Sequence, residues 1–327
     1  MSIEQTITLS DSDTPVLRIV QVEGDLVIQA WAQRQVVAKV DEEEDLTIEQ
    51  RPDTLVMRCR SDLNLRTPST AHITIVRVQG DSKIAGVSGP LHIEQIQGDL
   101  QLRDGGDTRI DMVHGDLAIR QISGELTVDT VAGDAAIAGV HGHLLISRVE
   151  DDLSLAGIHG SIEAAAGDDV SLHLNPRRGE RYEIAADGDI SCRIPEDTDA
   201  SISLRAGGDI VVRKLAVAAG EDERSLDFVL GDGGAQLTLQ ARGDIALAGR
   251  PPGWGTTPGF DDLFSSPEME GEFGLQAAEM AEELGRKIEV QIEAATQQID
   301  AKLAEFDGDA FSIRVQDLVQ AALHKAE

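Results

Sequence analysis

A nine-residue repeat occupies the middle of the chain and constrains its fold more than any other feature. From Val78 the units read VQGDSKIAG, VSGPLHIEQ and IQGDLQLRD, and the consensus is [V/I]-x-G-[D/E]-L-x-[I/V]-x-x. Two apolar residues two positions apart lie on one face of a strand, and nine residues are too few for a helix with its connections. Each unit therefore predicts a short strand and a corner, with glycine supplying the turn. Stacked units bury a continuous apolar row as a parallel β-solenoid.

Aspartate follows the glycine, or its equivalent, in alternate units, which indicates that two nonapeptides make one coil of 18 residues, lengthening to 20 further on. The aspartates are Asp81, Asp99, Asp116, Asp134, Asp152, Asp169, Asp189, Asp209 and Asp244. We expect them to stack at one corner in a structural role, each accepting a turn amide, because carboxylates about 5 Å apart repel by under about 1 kcal/mol in water. A calcium-binding row needs the pattern GGxGxDxUx, which these units lack.

Four regions follow from the patterning. Residues 1–77 are predicted to form irregular coils that cap the solenoid, 78–249 its regular coils, 250–273 a linker rich in Gly, Pro and aromatic residues, and 274–327 a helical tail. No aromatic residue occurs between Trp31 and Tyr182, which indicates a thin core of Leu, Ile, Val and Ala. The predicted fold is an all-β parallel β-solenoid, or β-helix, with a C-terminal α-helical tail.

The tail carries an apolar stripe that repeats every eleven residues, as in Leu284, Ala295 and Phe306. This period predicts a nearly straight or weakly right-handed helix seam, which is poorly stable unless it is buried. The helices either pack along the solenoid or pair with a second copy, and we favour self-association because the linker lets the helix leave the solenoid. The linker aromatics are expected to dock on the chain's own solenoid end or on a neighbour. The predicted oligomerisation and docking residues are Trp254, Phe260, Phe264, Phe273, Leu284, Ile288, Ile292, Ile299, Leu303, Phe306 and Phe311.

Net charge and the N-terminal sequence indicate which classes of partner and which cellular compartment to expect. The chain has 59 acidic and 28 basic side chains, a net charge of −31, so nucleic acid and anionic membranes are disfavoured. Its first residues lack a basic and apolar leader, and no 18-residue apolar run predicts membrane insertion. Cys59 and Cys192 lie far apart without metal-ligand spacing and are expected to be buried thiols in a reducing compartment. We therefore expect a cytoplasmic protein.

The sequence offers no catalytic constellation. His141 and His159 occupy equivalent corners of adjacent coils and could stack at metal-ligand distance, with His143 nearby. Three imidazoles without cysteine or a placed carboxylate are weak evidence for zinc. A β-helix carbohydrate-active enzyme needs paired acids against a cleft, and the repeats also lack aromatic platforms for sugars. We predict no catalytic residue, cofactor or metal.

The strand GDLVIQAW at 24–31, the repeated G-[D/E]-L-x-[I/V] units and the later GDI at twenty-residue spacing resemble the DUF4097 "putative adhesin" β-solenoid family over about residues 5–250. The resemblance implies a right-handed bacterial β-helix without a settled enzymatic activity, with some members associated with the cell envelope or envelope stress. We predict a non-enzymatic scaffold or assembly protein that self-associates or docks a protein through its C-terminal helices. The alternative is a regulatory or envelope-stress module that captures a cationic peptide or protein on its acidic faces.

Overall fold

A computed structural model describes residues 3–8, 14–51, 54–217 and 224–250. Within these ranges the chain forms strands and one turn of 3-10 helix, Glu43–Asp45, and no helix there is long and apolar enough to cross a membrane. Arg250, predicted as the first linker residue, ends the last described strand. The rest of the predicted linker, the helical tail and the docking residues from Trp254 to Phe311 lie outside the described residues.

The strands are numbered in chain order. They are β1 Ile3–Thr8, β2 Val16–Val22, β3 Leu26–Trp31, β4 Gln35–Val40, β5 Leu46–Gln50, β6 Thr54–Cys59, β7 Leu63–Pro68, β8 His72–Ile75, β9 Ser82–Ala85, β10 Leu91–Ile96, β11 Leu100–Gly105, β12 Thr108–Val113 and β13 Leu117–Ile122. The second half comprises β14 Leu126–Val131, β15 Ala135–Val140, β16 Leu144–Val149, β17 Leu153–Ala156, β18 Ile162–Ala166, β19 Val170–His173, β20 Arg181–Ala186, β21 Ile190–Pro195, β22 Ala200–Ala206, β23 Ile210–Arg213, β24 Ser225–Leu230, β25 Ala235–Ala241 and β26 Ile245–Arg250.

Two sheets face each other, and each coil contributes one strand to each. Sheet A runs β1-β4-β7-β3-β9-β11-β13-β15-β17-β19-β21-β26-β23, and sheet B runs β24-β22-β25-β20-β18-β16-β14-β12-β10-β8-β2-β6-β5. Strands from successive coils pair in parallel and in register, as Ile119 with Ile137 and Ile137 with Leu155. The all-β, parallel, solenoid-like architecture is therefore confirmed for the described residues.

The core lies between the sheets and consists of stacked inward rows. In the regular strands the first, third and sixth residues are buried, so that Leu, Ile and Val of each coil lie on those of the next. Tyr182 is fully buried on β20, in the part of the chain where the coil lengthens to 20 residues. Its hydroxyl accepts a hydrogen bond from the Arg177 amide at 3.1 Å, which satisfies the phenol oxygen.

Chain order and spatial order differ at both ends of the solenoid. Near the N-terminus the coil of β6 and β7 lies outside the coil of β2 and β3, and near residue 250 the coil of β22 and β23 lies outside that of β25 and β26. Antiparallel strands cover these outer coils: β4 with β1 on β7, β5 on β6, and β24 on β22. Parallel coils thus extend well into the region predicted as an irregular cap.

Candidate functional site: the aspartate row

Eleven aspartates form one hydrogen-bonded row along the corner that leads from sheet B to sheet A. In each step a backbone amide donates to Oδ1 of the aspartate in the neighbouring coil, at 2.7–3.1 Å. The spatial order is Asp62, Asp25, Asp81, Asp99, Asp116, Asp134, Asp152, Asp169, Asp189, Asp244 and Asp209. All nine aspartates expected at this corner lie in the row, each as an acceptor or donor of such a bond.

The sequence prediction omitted Asp25 and Asp62 from the row, and it placed Asp209 before Asp244. Asp25 follows a glycine and precedes a leucine, so its signal was present, whereas Asp62 precedes Leu63 and Leu65 but follows a serine in place of the repeat glycine. Asp244 lies between Asp189 and Asp209 in the row, because β26 is inserted between β21 and β23.

The glycines beside the row leave space for the neighbouring carboxylate and do not adopt a left-handed conformation, although Asp151 and Asp168 occupy the same position in two coils. A Cβ on Gly133 would lie 2.3 Å from Asp116 Oδ1 and 3.0 Å from the Gly115 carbonyl oxygen. The left-handed backbone occurs instead at the opposite corner, at Gly86, Gly139 and Gly157 among others. The repeat glycine lies in the bend of the corner as expected, but its backbone is not left-handed, and close approach of the neighbouring carboxylate explains the Gly-Asp pair.

Asp168 occupies the glycine position of its coil and crowds the row. Its pKa is raised, chiefly by the negative charge of Asp169, then by desolvation and by the neighbouring Asp152, Asp151 and Asp189. Carboxylate oxygens of Asp152, Asp168 and Asp169 lie within 4.8 Å of one another, and all three residues are exposed. Three carboxylates provide only part of the six to eight oxygens that calcium takes, so the arrangement is a concentration of charge rather than a built metal site.

We expect Asp168→Asn to raise the melting temperature at neutral pH, because it removes a carboxylate whose charged form the folded state disfavours. A raised folded-state pKa means that the wild type regains this stability as pH falls through that pKa. The gain should therefore shrink under acid conditions and at high salt. Thermal unfolding at several pH values checks it, with Asp197→Asn as the control at an exposed aspartate outside the row. An equal shift at all pH values would contradict the assignment.

The opposite corner is less regular. The rings of His141 and His159 stack with centroids 4.7 Å apart and an angle of 25°, as their equivalent repeat positions predicted. The pKa of His159 is lowered, first by burial and then by the charges of Arg177 and His141. His143 Nδ1 accepts the Ser161 amide at 3.1 Å, which is the role that aspartates have at the first corner. These histidines therefore have structural roles at the corner.

The outer faces of the two sheets differ in charge. Sheet B carries ion pairs between neighbouring strands, such as Arg109 on β12 with Asp129 on β14 and Arg205 on β22 with Asp227 on β24 at 2.7 Å. The eleven parallel strands of sheet A hold a single acidic residue, Asp104. Their cationic side chains are Arg66, Lys83, Arg103, Arg120, Arg193, Arg213 and Arg250. Sheet A is thus a basic face on an acidic protein.

The two cysteines are buried in the core, as expected. Burial raises the pKa of the Cys192 thiol to about 12. Because the thiolate is the reactive form, Cys192 is not a nucleophile near neutral pH.

No family model matches the chain, and no curated protein matches it. Solved structures similar to it include a "putative lipid binding protein" from Parabacteroides distasonis ATCC 8503 and a "putative adhesin" from Parabacteroides merdae ATCC 43184. Both are 11% identical with a TM-score of 0.31, covering 75% of this chain and 96% and 95% of their own. A "putative adhesin" from Bacteroides fragilis NCTC 9343 is 10% identical, with a TM-score of 0.26 over 76% of this chain and 97% of its own. Likeness at this level carries no functional argument, and membership of the DUF4097 family is not shown.

Proposed function

We propose that the chain is a non-enzymatic, cytoplasmic scaffold in which the β-solenoid is a rigid body and the C-terminal helices, residues 274–327, join it to a second copy. The observation that carries the proposal is the aspartate row, which ties each of eleven stacked coils to the next through a side-chain acceptor. Such a device fixes coil register over the whole length of the sheets, which serves mechanical rigidity.

The chemistry of the described residues supports a non-enzymatic role. The charged side chains of sheet B are engaged with one another, as in Arg109 with Asp111 and Asp129. Ten of the eleven row carboxylates accept a neighbouring amide through Oδ1, and the cysteines are buried. These groups hold the fold together, and within the described ranges the single cluster of three potential metal ligands is exposed.

Light scattering on the full chain tests the assembly role. Ile288→Glu with Ile299→Glu places two charges in the apolar stripe, and we expect the mass to fall from that of an oligomer to the 35.0 kDa of one chain. Gln297→Glu with Ala304→Glu adds the same charge on the other side of the predicted helix and should leave the oligomer intact. A wild type that is monomeric at all micromolar concentrations, or a stripe variant that keeps the oligomeric mass, would overturn the proposal.

The exposed outer side of the aspartate row favours one second candidate, capture of a cationic peptide or protein. It predicts salt-sensitive binding of oligolysine that Asp134→Asn and Asp152→Asn weaken, since asparagine keeps an oxygen acceptor but removes the charge. If those variants bind oligolysine as well as the wild type does, this candidate fails while the assembly role is untouched.

A further inference from the structure

The last strand that the structure describes lies between two exposed arginines on the basic face of sheet A. Strand β26 lies between β21 and β23, and Ala248 pairs with Arg193 on one side and Arg213 on the other. All three side chains lie on the outer face, and both arginines are exposed. Ala248 is two residues before Arg250, the last described residue.

The same place is a shallow groove. Ala246 and Ala248 line it together with Ser191, Val211 and the two arginines at one end, and its volume is about 650 Å³. The row aspartates Asp152, Asp169, Asp189 and Asp244 line its other end. Val211 is 39% exposed, which is high for a large apolar side chain on a regular strand. A ligand that fits has an apolar group for the alanine and valine side chains and negative charge for Arg193 and Arg213.

The nearest carboxylates of the row do not cancel this basic site. Asp189 immediately precedes β21 and lies four residues before Arg193, which is about 13 Å along an extended chain. At physiological salt the Debye length is about 8 Å, so an anion beside Arg193 is largely screened from Asp189.

We propose that the groove binds the chain's own segment 254–264, with Asp261 and Asp262 against Arg193 and Arg213 and aromatic side chains over Ala246 and Ala248. The segment reads WGTTPGFDDLF and holds two acidic and no basic residues. Only three residues, Pro251, Pro252 and Gly253, separate it from Arg250, so tethering gives it a high effective concentration at the groove. This contact would hold the start of the linker on the solenoid, whereas the self-association proposed above concerns residues 274–327.

Hydrogen exchange on the full chain tests the contact. In the wild type we expect peptides from 254–264 to be protected, and in Arg193→Glu with Arg213→Glu to exchange about tenfold faster. Arg148→Glu with Arg181→Glu makes the same charge change on sheet B and should have no effect on the segment. Adding Asp261→Arg and Asp262→Arg to the sheet A variant should restore protection. Peptides from β21 and β26 report whether the solenoid stays folded in each variant.

Three results would overturn the inference. The first is equally fast exchange of 254–264 in the wild type and the sheet A variant, and the second is an equal loss of protection in the sheet B control. The third is protection that disappears on dilution, which would identify a second copy as the occupant. Oligomeric mass is measured separately, so failure of this contact and failure of the assembly role are distinguishable.

Discussion

Replacing Gly133 by alanine is expected to destabilise the solenoid by about 3 kcal/mol, the upper part of the usual range for overpacking. The added Cβ would lie 2.3 Å from Asp116 Oδ1 and 3.0 Å from the Gly115 carbonyl oxygen, so the row has to open at that coil. The row links the coils to one another, so we expect the whole solenoid to lose stability. The unfolding free energy from chemical denaturation measures this loss.

Asp116→Ala distinguishes a clash with the Asp116 carboxylate from a destabilising effect of alanine that does not depend on Asp116. Alone it removes the acceptor of the Asp134 amide and should cost about 1 kcal/mol. Combined with Gly133→Ala it also removes the closest clash. The double variant should therefore lose less unfolding free energy than the two single variants lose together, by at least about 1 kcal/mol.

Gly157→Ala is the matched control for that cycle. Gly157 has a φ of +65°, and its nearest potential contact is 3.5 Å away, so alanine there costs backbone strain of about 1 kcal/mol without a clash. Its effect should simply add to that of Asp116→Ala. Additivity at Gly133 as well would contradict the coupling of glycine and aspartate within the row.

The repeat predicted the strands and the corner because both follow from local spacing. Leu117 and Ile119 are two residues apart and buried, as are their equivalents in neighbouring coils. The coil period of 18 residues places Asp116 and Asp134 at one corner. The role of Gly133 was misassigned, since the sequence shows a small residue but not whether its small size serves backbone angle or close approach.

The spatial order of the coils could not be predicted from the repeat. Every coil presents similar inward rows, so Ile245 packs as well beside Ile190 as Ile210 would, and periodicity does not distinguish the two. The antiparallel strands that cover the outer coils, such as β24 on β22, pair without a nine-residue signature. Asp62 was missed for the same reason, because it belongs to an outer coil without the glycine.

The docking residues from Trp254 to Phe311 stay predictions. Their proposed roles depend on where the chain leaves the solenoid, and that place is set by the insertion of β26 inside β23. The insertion brings Ala248 between Arg193 and Arg213 and sets the order of Asp244 and Asp209 in the row. It is therefore the feature on which the account of both the row and the exit depends.

Disulfide formation between outward-facing positions tests that insertion directly. Ser191 pairs with Ala246, and Ala246 pairs with Val211, so Ser191 and Val211 are two strands apart, about 9.6 Å. Ser191→Cys with Ala246→Cys should cross-link under mild oxidation, detected as linked peptides by mass spectrometry, since adjacent strands lie within disulfide range. Ser191→Cys with Val211→Cys should not. Cross-linking of the second pair and not the first would show that the coils follow chain order, and would contradict the account.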